Sequence, residues 1–453
     1  MRRRTVVRLA VGSALVAVVV AIGYTGWLGW RVAVELSRAQ QAVGEVRAAL
    51  EARDAGSRER AIEDLRTAAA RADDATDGLW WRMLGWLPAV GDDLDGVRVL
   101  SSSLHGVAGV APSLGESLDL LEDVSRRGRI NLEALERLES PVLDAERAFA
   151  AADAALAAQD SAGFAYPIQR AHDRFAAVVG DTSRALASGA TAVRVLPRMF
   201  GADGPRSYLL MFQNNAEIRA TGGMPGTYML VRAENGRLDI VRQARAGEFV
   251  ERPEPILPLT RAEEAQYGRQ LGTYIQDAGF TPDFPRAAEL TAARWQEEMS
   301  GAPLDGVMAF DPVAVSYLLE GTGPIALSNG TTLTAENAVS ELLNRPYLDM
   351  LPAEQDAMFA EASEAIFGAV TGDVPSPLKL VSGFVRAAHE GRFLLADFDP
   401  TVEELIGGSR IRGSVARNDA PLAHVDIGLN DATGAKMSYY LRYSAEVEAV
   451  DCR

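Results

Sequence analysis

The sequence predicts a mixed α+β or α/β protein with four parts: an N-terminal transmembrane helix, a helical stalk or bundle, an α/β layered outer domain and the start of a truncated C-terminal β domain. Three observations predict this class. An uncharged run follows a cluster of arginines, apolar residues then recur at helical spacing to about residue 200, and candidate strands alternate with helices beyond Gly204-Pro205. The predicted boundaries are a cytoplasmic tail at 1–8, an anchor at 9–30, a stalk at 31–200, an outer domain at 201–408 and an incomplete β domain at 409–453.

The amino-acid composition excludes several classes of protein. The chain has 62 acidic and 45 basic residues, and its formal charge is −17. That balance argues against non-specific binding of nucleic acid, which requires clustered positive charge. Four histidines and one cysteine exclude a disulfide scaffold and a zinc-finger pattern. The chain has only two lysines, Lys379 and Lys436, so its other basic residues are arginines. A high content of arginine and alanine is typical of proteins from GC-rich bacterial genomes, and we interpret this chain as actinobacterial.

The first segment has the pattern of a signal anchor. Arginines at positions 2, 3, 4 and 8 precede the uncharged stretch 9–30. As a helix with a rise of about 1.5 Å per residue, this stretch spans roughly 33 Å, which matches the hydrocarbon core of a bilayer. The alternative is a cleavable signal peptide, but its apolar region is only about 7–15 residues long and ends in small residues. Because basic residues stay inside, we expect a single-pass membrane protein with most of its chain extracytoplasmic.

The predicted stalk carries apolar residues on one helical face and charged residues on the others. The apolar positions include Leu36, Ala39, Val43, Val46, Leu50, Ile62, Leu65, Ala69 and Ala72. Short connections between the later helical patterns indicate antiparallel neighbours. The region contains no convincing catalytic set, and we expect it to space or oligomerise the outer domain.

The outer domain begins with a strand pattern. Ser207–Phe212 is predicted to be a buried strand, and a polar, glycine-rich loop follows it. A second strand over Thr227–Arg232 leads through Asn235-Gly236, a two-residue hairpin turn, into a third strand over Leu238–Val241. No nucleotide-binding or hydrolase motif occurs in the strand-to-helix context that such motifs need.

The loop between the first two strands is the main candidate site. It holds Glu217 and Arg219 among glycines, which let a backbone approach a ligand, and arginine can fork onto phosphate. A structural turn fits the spacing equally well, with Thr-Gly-Gly supplying tight-turn dihedrals and Glu217 paired with Arg219. The candidate binding residues in this loop are Asn214, Asn215, Thr221, Gly222 and Gly223. Farther along, Asp311 is predicted to cap a helix that Pro312 opens.

Four segments resemble the bacterial family of the domain of unknown function 4012. They are YLLMFQNNAEIRATGGMPGTYMLVRAENGRL, TPDFPRAAELTAARWQEEMSG, LDGVMAFDPVAVSYLLEGTGPI and TLTAENAVSELL, and they span most of Arg206–Asn344. The string Asn-Asn-x-Glu-x-Arg-x-Thr-Gly-Gly is the most specific part, with Ala220 and Met224 at positions where the family would have Pro and Phe. The resemblance implies a membrane-anchored, outward-facing protein and brings no established activity.

The order of elements is more distantly similar to that of the LytR-CpsA-Psr phosphotransferases, which join undecaprenyl-pyrophosphate-linked glycopolymers to peptidoglycan. This resemblance implies catalytic roles for Glu217, Arg219 and Asp311, with Mg²⁺ as the candidate cofactor on Glu217 or Asp311. The further candidates for binding phosphate are Arg242, Arg245 and Arg345. Handling pyrophosphate needs several guanidinium groups or a metal. Arg345 is the only arginine between positions 345 and 356, which argues against phosphotransfer.

Three functions remain open at this point. The first is a cell-envelope module that binds a polyprenyl-linked glycan or an envelope protein, and the second is a divergent phosphotransferase. The third is a structural assembly protein that acts through its stalk. Convergence of Arg219, Arg242 and Arg245 with Glu217 on one cavity would favour the enzyme. Scatter of these arginines would favour the binding module, and the lack of a concave polar pocket would favour the structural protein.

The C-terminal end is predicted to be incomplete. Strand patterns occur over His424–Leu429, Met437–Tyr443 and Ala445–Val450. Two or three strands with exposed edges make a poor independent domain, so we expect the natural protein to continue into a β-sandwich-like domain. Cys452 would then be a free thiol or half of a disulfide.

Overall fold

The structure is a computed structural model that describes residues 2–52, 54–87, 90–126, 129–299, 301, 303–416, 425–431 and 433–448. Side chains are described from residue 24 onward, apart from those at 51, 122, 125 and 126. The chain divides into two compact units. The first comprises Met1–Leu120 and Arg137–Ala190, and the second comprises Leu121–Glu136 and Thr191–Arg453.

The first unit is helical, as the periodicity predicted. Its helices are α1 (Arg2–Ala52), α2 (Ala55–Thr76), α3 (Leu79–Leu84), α4 (Gly91–Gly109), most of α5 (Ala111–Val124), and large parts of α6 (Leu132–Ala157) and α7 (Tyr166–Met199). Asp54 caps α2 by accepting a hydrogen bond from the Ser57 amide. The buried face of α2 is rich in alanine at positions 61, 68, 69 and 72, so α1 and α2 can pack closely along their length.

The predicted membrane anchor at 9–30 lies within α1, and most of it falls on residues whose side chains lie outside the description. Within the described part of the chain, no helix combines the length and apolar character needed to cross a bilayer. The anchor therefore stays a prediction from the sequence.

The second unit is built on a seven-stranded sheet. Its strands are β1 (Ser125–Arg126), β2 (Arg129–Ile130), β3 (Arg206–Arg219), β4 (Gly222–Glu234), β5 (Arg237–Arg245), β6 (Gly306–Phe310) and β9 (Phe393–Asp397), in the order β1-β2-β5-β4-β3-β6-β9. A separate pair joins β7 (Ile325–Ala326) and β8 (Thr332–Leu333). Only β3 and β6 pair in parallel among the described strands. The outer domain is thus mixed α+β rather than a parallel α/β sheet.

The predicted hairpin turn is confirmed. Asn235 and Gly236 connect β4 to β5 with φ values of 51° and 77°. A turn with both central residues at positive φ matches the twist of antiparallel strands, and asparagine and glycine adopt it at least cost.

Helices cover both faces of the sheet. They are α8 (Arg261–Tyr267), α9 (Gln270–Thr273), α10 (Phe284–Met299), α11 (Pro312–Thr322), α12 (Ala338–Leu343), α13 (Arg345–Asp349), α14 (Pro352–Thr371), α15 (Pro377–His389) and α16 (Pro400–Ile406). Alternate residues of β3 point to opposite faces. Leu209 and Met211 lie in a core with Trp295 of α10, whereas Tyr208 and Leu210 lie in a second core with Ile406 of α16.

The strands predicted near the C-terminus are a point of correction. Residues 425–431 and 433–448 form no strand, and Lys436–Tyr440 is a 3-10 helix where a strand over Met437–Tyr443 was predicted. The reason is that this segment uses its polar groups on the rest of the unit. Asn430 donates from Nδ2 to the Phe280 carbonyl at 2.9 Å, and the Asp431 amide donates to the Ile218 carbonyl at 3.0 Å. Cys452 lies outside the described residues.

Candidate functional site

A cavity of about 480 Å³ lies in the second unit, where β3, β4 and β5 meet α11 to α14. Its apolar wall includes Phe212, Phe310, Val315, Leu342, Leu343, Phe359 and Ile366. Its polar lining includes Gln213, Asn214, Glu217, Arg245, Glu248, Gln276, Asp311, Tyr347, Gln355, Asp356 and Lys436. The outer domain therefore has a concave polar pocket, which the purely structural hypothesis predicted it would lack.

An irregularity in β3 carries the candidate loop to this cavity. Asn214 pairs with Met224 and Ile218 pairs with Gly223, so residues 215–217 have no partner on β4. Extra residues on one strand of an antiparallel pair bend it and redirect its side chains. Gly223 permits this geometry, because a Cβ there would lie 2.3 Å from the backbone carbonyl atoms of Asn214. Gly222 has a φ of +129°, which favours glycine.

These observations support the hypothesis of a structural turn for Gly222 and Gly223 over the hypothesis that they let the backbone approach a ligand. Neither lines the cavity, and Thr221 is buried and bonds to the Gly279 carbonyl through its amide at 3.3 Å. The hypothesis of a structural turn also paired Glu217 with Arg219, and that part is wrong. Both side chains are buried, but the irregular backbone sends them to different partners.

Glu217 is the central polar residue of the cavity. Its side chain is 1% exposed, and Oε1 accepts a hydrogen bond from Nζ of Lys436. Its second oxygen, Oε2, is buried without a hydrogen-bond partner among the described residues. Tyr347 lies beside it, and burial together with the Glu217 charge raises the pKa of the Tyr347 phenol above its ordinary value. The phenol therefore remains protonated near neutral pH.

Asp311 has the capping role that the sequence predicted. Its Oδ1 accepts a hydrogen bond from the Ala314 amide at 2.8 Å at the start of α11. Its Oδ2 accepts hydrogen bonds from Asn215 Nδ2 at 2.7 Å and from Arg392 at 2.9 Å. Burial lowers the pKa of Arg392, but the Asp311 carboxylate outweighs this effect and raises it. Asp311 thus ties the irregular part of β3 to the helix and to Arg392, the residue before β9, and both of its oxygens are engaged.

The predicted phosphate-binding arginines do not converge. Arg219 lies outside the cavity lining, forms an ion pair with Asp277 at 3.3 Å, and stacks its guanidinium 4.6 Å from the Phe280 ring centroid. Burial raises the pKa of Asp277, and the Arg219 charge opposes that shift. Arg242 is exposed and donates to the Met299 carbonyl at 3.3 Å. Arg219 therefore anchors structure, and Arg242 lies away from the cavity.

The other two arginines differ in position. Arg245 lines the cavity, where its guanidinium forms an ion pair with Asp356 at 3.2 Å. Arg345 is exposed outside the lining, 3.5 Å from Glu341. A single arginine already paired with a carboxylate offers little to a pyrophosphate group.

The charge of the cavity lining also argues against a phosphate-binding site. The ionisable residues that line the cavity are four carboxylic acids and three other groups: Glu217, Glu248, Asp311 and Asp356 beside Arg245, Lys436 and the neutral phenol of Tyr347. The acids outnumber the bases, so the lining does not attract a polyanion. Among the described residues, no group of three or more histidine, cysteine, aspartate and glutamate side chains is arranged to hold a metal ion.

The sequence reasoning missed Lys436, Tyr347 and Arg392 as site residues. The Tyr347 hydroxyl oxygen accepts a hydrogen bond from Nδ2 of Asn214 at the cavity. Tyr347 lies in the span 345–356, where the resemblance to phosphotransferases pointed to arginines and not to a tyrosine. Lys436 lies 219 residues beyond Glu217, and no local pattern signals a contact at that separation. Its rarity was the one available signal, since Lys379 is the only other lysine.

Comparisons with known proteins identify a family for part of the chain and no activity. No curated protein matches this chain. One solved structure with a match is that of the Lin1025 protein from Listeria innocua, with 16% sequence identity over 47% of this chain and 81% of that chain, and a TM-score of 0.26. Residues 203–347 match the family described as protein of unknown function (DUF4012). This matched segment supplies β3 to β6 and both Glu217 and Asp311, and the match confirms the resemblance to the DUF4012 family that the sequence indicated.

Proposed function

We propose that this chain is a membrane-anchored, extracytoplasmic binding module of the cell envelope, and that its cavity takes the sugar part of an envelope glycan. One observation carries the proposal. The cavity sets Oε2 of Glu217, which is buried and has no hydrogen-bond partner among the residues that the structure describes, beside an apolar wall, while Arg219 and Arg242 lie outside it. A buried carboxylate oxygen is costly unless a donor reaches it, and a ligand hydroxyl is such a donor.

The lining supports a sugar ligand in two further respects. Side-chain amides of Gln213, Asn214 and Gln355 reach the cavity and can both donate and accept, as sugar hydroxyls require. Phe212, Phe310 and Phe359 offer apolar ring faces for the carbon side of a sugar or for a lipid chain. The cavity volume of about 480 Å³ suits one or two sugar rings.

The distant likeness to phosphotransferases receives little support from this geometry. That function needs guanidinium groups or a metal around the transferred phosphate. Among the described residues Arg245 is the one arginine of the lining, and its guanidinium faces Asp356. The proposal is therefore binding of the glycan, with no bond made or broken.

The test is a titration of the full chain in detergent micelles with a soluble envelope disaccharide, a polyprenyl-linked disaccharide and a polyprenyl pyrophosphate that lacks sugar. We expect both sugar-bearing ligands to bind, and Glu217→Gln to weaken them by about tenfold because the buried acceptor loses its charge. The matched control is Glu404→Gln, an exposed carboxylate on α16. Tight binding of the sugar-free pyrophosphate alone would contradict the proposal.

A further inference from the structure

The C-terminal segment places a cation in the cavity. Lys436 lines the cavity, and its ammonium group donates to Oε1 of Glu217. The same ammonium lies 4.6 Å from the centroid of the Tyr347 ring. An acidic oxygen on one side and an aromatic face on another are the two groups that recognise an alkylammonium ion.

Polar contacts attach that segment to the rest of the unit. None of the described residues from 425 to 448 is buried. The segment is held by polar contacts such as Tyr440 Oη to Asn344 Oδ1 at 2.8 Å and Arg219 to the Asp431 carbonyl at 2.6 Å. The described part of the segment contributes no buried apolar side chain, so its displacement breaks polar contacts and opens no apolar core.

The site left after displacement is incomplete without a cation. Removal of Lys436 leaves Glu217, which is 1% exposed, with both carboxylate oxygens short of a donor. A buried carboxylate without a positive partner is strongly unfavourable. The neighbouring base in the lining, Arg245, is already paired with Asp356. The cavity would therefore favour a ligand that brings its own positive charge.

We propose that Glu217 and Tyr347 form a binding site for a primary ammonium group, and that Lys436 occupies this site until an amine-bearing ligand displaces it. The inference rests on the proposed binding function and deepens it, because it names a group that the ligand carries. The ligand class is a sugar or lipid-linked glycan with a free amine. Its ammonium would take the place of Lys436, and its carbon skeleton would lie against Val315, Leu342 and Phe359.

The first test uses n-butylammonium chloride, which reproduces the Lys436 side chain, with the full chain in detergent micelles. We expect Lys436→Ala to bind this probe at least about tenfold more tightly than the wild type, because the resident cation is gone. The neutral analogue 1-butanol should show no such gain. Lys379→Ala is the matched control, since Lys379 is exposed on α15. Equal gains for the two lysine variants, or for the alcohol, would overturn the inference.

A second measurement keeps Lys436 in place and follows its chemical reactivity. In the wild type, acylation of Lys436 should be about tenfold slower than acylation of Lys379, as read by peptide mass spectrometry, because the Lys436 amine lies between Glu217 and the Tyr347 ring, which restrict access of the reagent. Glu217→Gln should raise the Lys436 rate towards that of Lys379. Equal rates for the two lysines in the wild type would show that the contact does not form in solution.

The outcomes separate this inference from the proposed function. Gain of n-butylammonium binding by Lys436→Ala without any glycan binding would keep the ammonium site and remove the glycan proposal. Glycan binding that is the same for amine-bearing and N-acetylated sugars would keep the binding module and overturn the ammonium site.

Discussion

Replacement of Asp311 by alanine is expected to destabilise the second unit through three separate losses. The Ala314 amide at the start of α11 loses its cap, Asn215 loses the acceptor of its Nδ2, and Arg392 loses its ion pair. Asp311 is 2% exposed, so water replaces these contacts poorly. The position thus connects helix capping, the candidate loop and Arg392 through one carboxylate.

The magnitude follows from the three losses. Loss of a cap costs about 1 kcal/mol, and an unsatisfied amide donor costs about 1 kcal/mol. Breaking a fully buried ion pair would cost about 3–5 kcal/mol. The Arg392 side chain is 37% exposed, however, and solvent screening reduces that cost to about 1 kcal/mol. Asp311→Ala should therefore lower the free energy of unfolding of this unit by about 3 kcal/mol.

Two companion variants test the reasoning behind this number. Asp311→Asn keeps a capping oxygen and removes the charge, so it should cost only about 1–2 kcal/mol. In the double variant with Arg392→Met, the two changes should cost less than their sum, because no unpaired guanidinium remains. Hydrogen exchange of peptides from α11 and β9 reads the local stability of the second unit. Equal costs for the alanine and asparagine variants would refute the capping and pairing argument.

Two further predictions concern the sheet. Gly223→Ala should lower the urea midpoint of unfolding by the equivalent of about 1–3 kcal/mol, because its Cβ would lie 2.3 Å from the Asn214 carbonyl atoms. Gly226→Ala, where no atom lies within 4 Å of the added Cβ, is the control and should change little. Burial raises the pKa of Asp397, which accepts a hydrogen bond from Tyr208. Because the folded state favours the protonated carboxyl, this group stabilises the fold fully below about pH 3.9, the pKa of an unfolded aspartate. That stabilisation is lost as the pH rises through the pKa of Asp397 in the folded state. In Asp397→Asn, the free energy of unfolding should not show this decrease with rising pH. If the free energies of unfolding of the wild type and the variant change in parallel with pH, the prediction is wrong.

Local features of the fold could be predicted from the sequence. The hairpin turn at Asn235-Gly236 and the cap at Asp311 depend on residues within a few positions of each other, and both are present. The strands predicted near the C-terminus were wrong, because a strand needs a partner edge that local patterning does not specify. The helical periodicity of the first unit needed no such partner information and was confirmed.

The candidate site could be predicted only in part. Glu217, Asp311, Asn214 and Arg245 do meet at the cavity or its wall. Arg219 was expected to face a phosphate, but the irregular stretch of β3 turns it toward Asp277. Two side chains in one short motif thus point to different environments, and their chemistry could not be read from their spacing.

The sequence by itself determined the segment that matches the DUF4012 family, the helical character of the first unit and the acidic character of the chain, because these depend on residue type and short-range spacing. Only the tertiary structure decided which charges share a cavity. Lys436 contacts Glu217 although 219 positions separate them in the sequence. Arg219 lies only two positions after Glu217, yet its side chain points to a different environment. Contacts between residues so far apart arise from packing of the whole sheet and its helices, and burial then decides which of those charges must be paired.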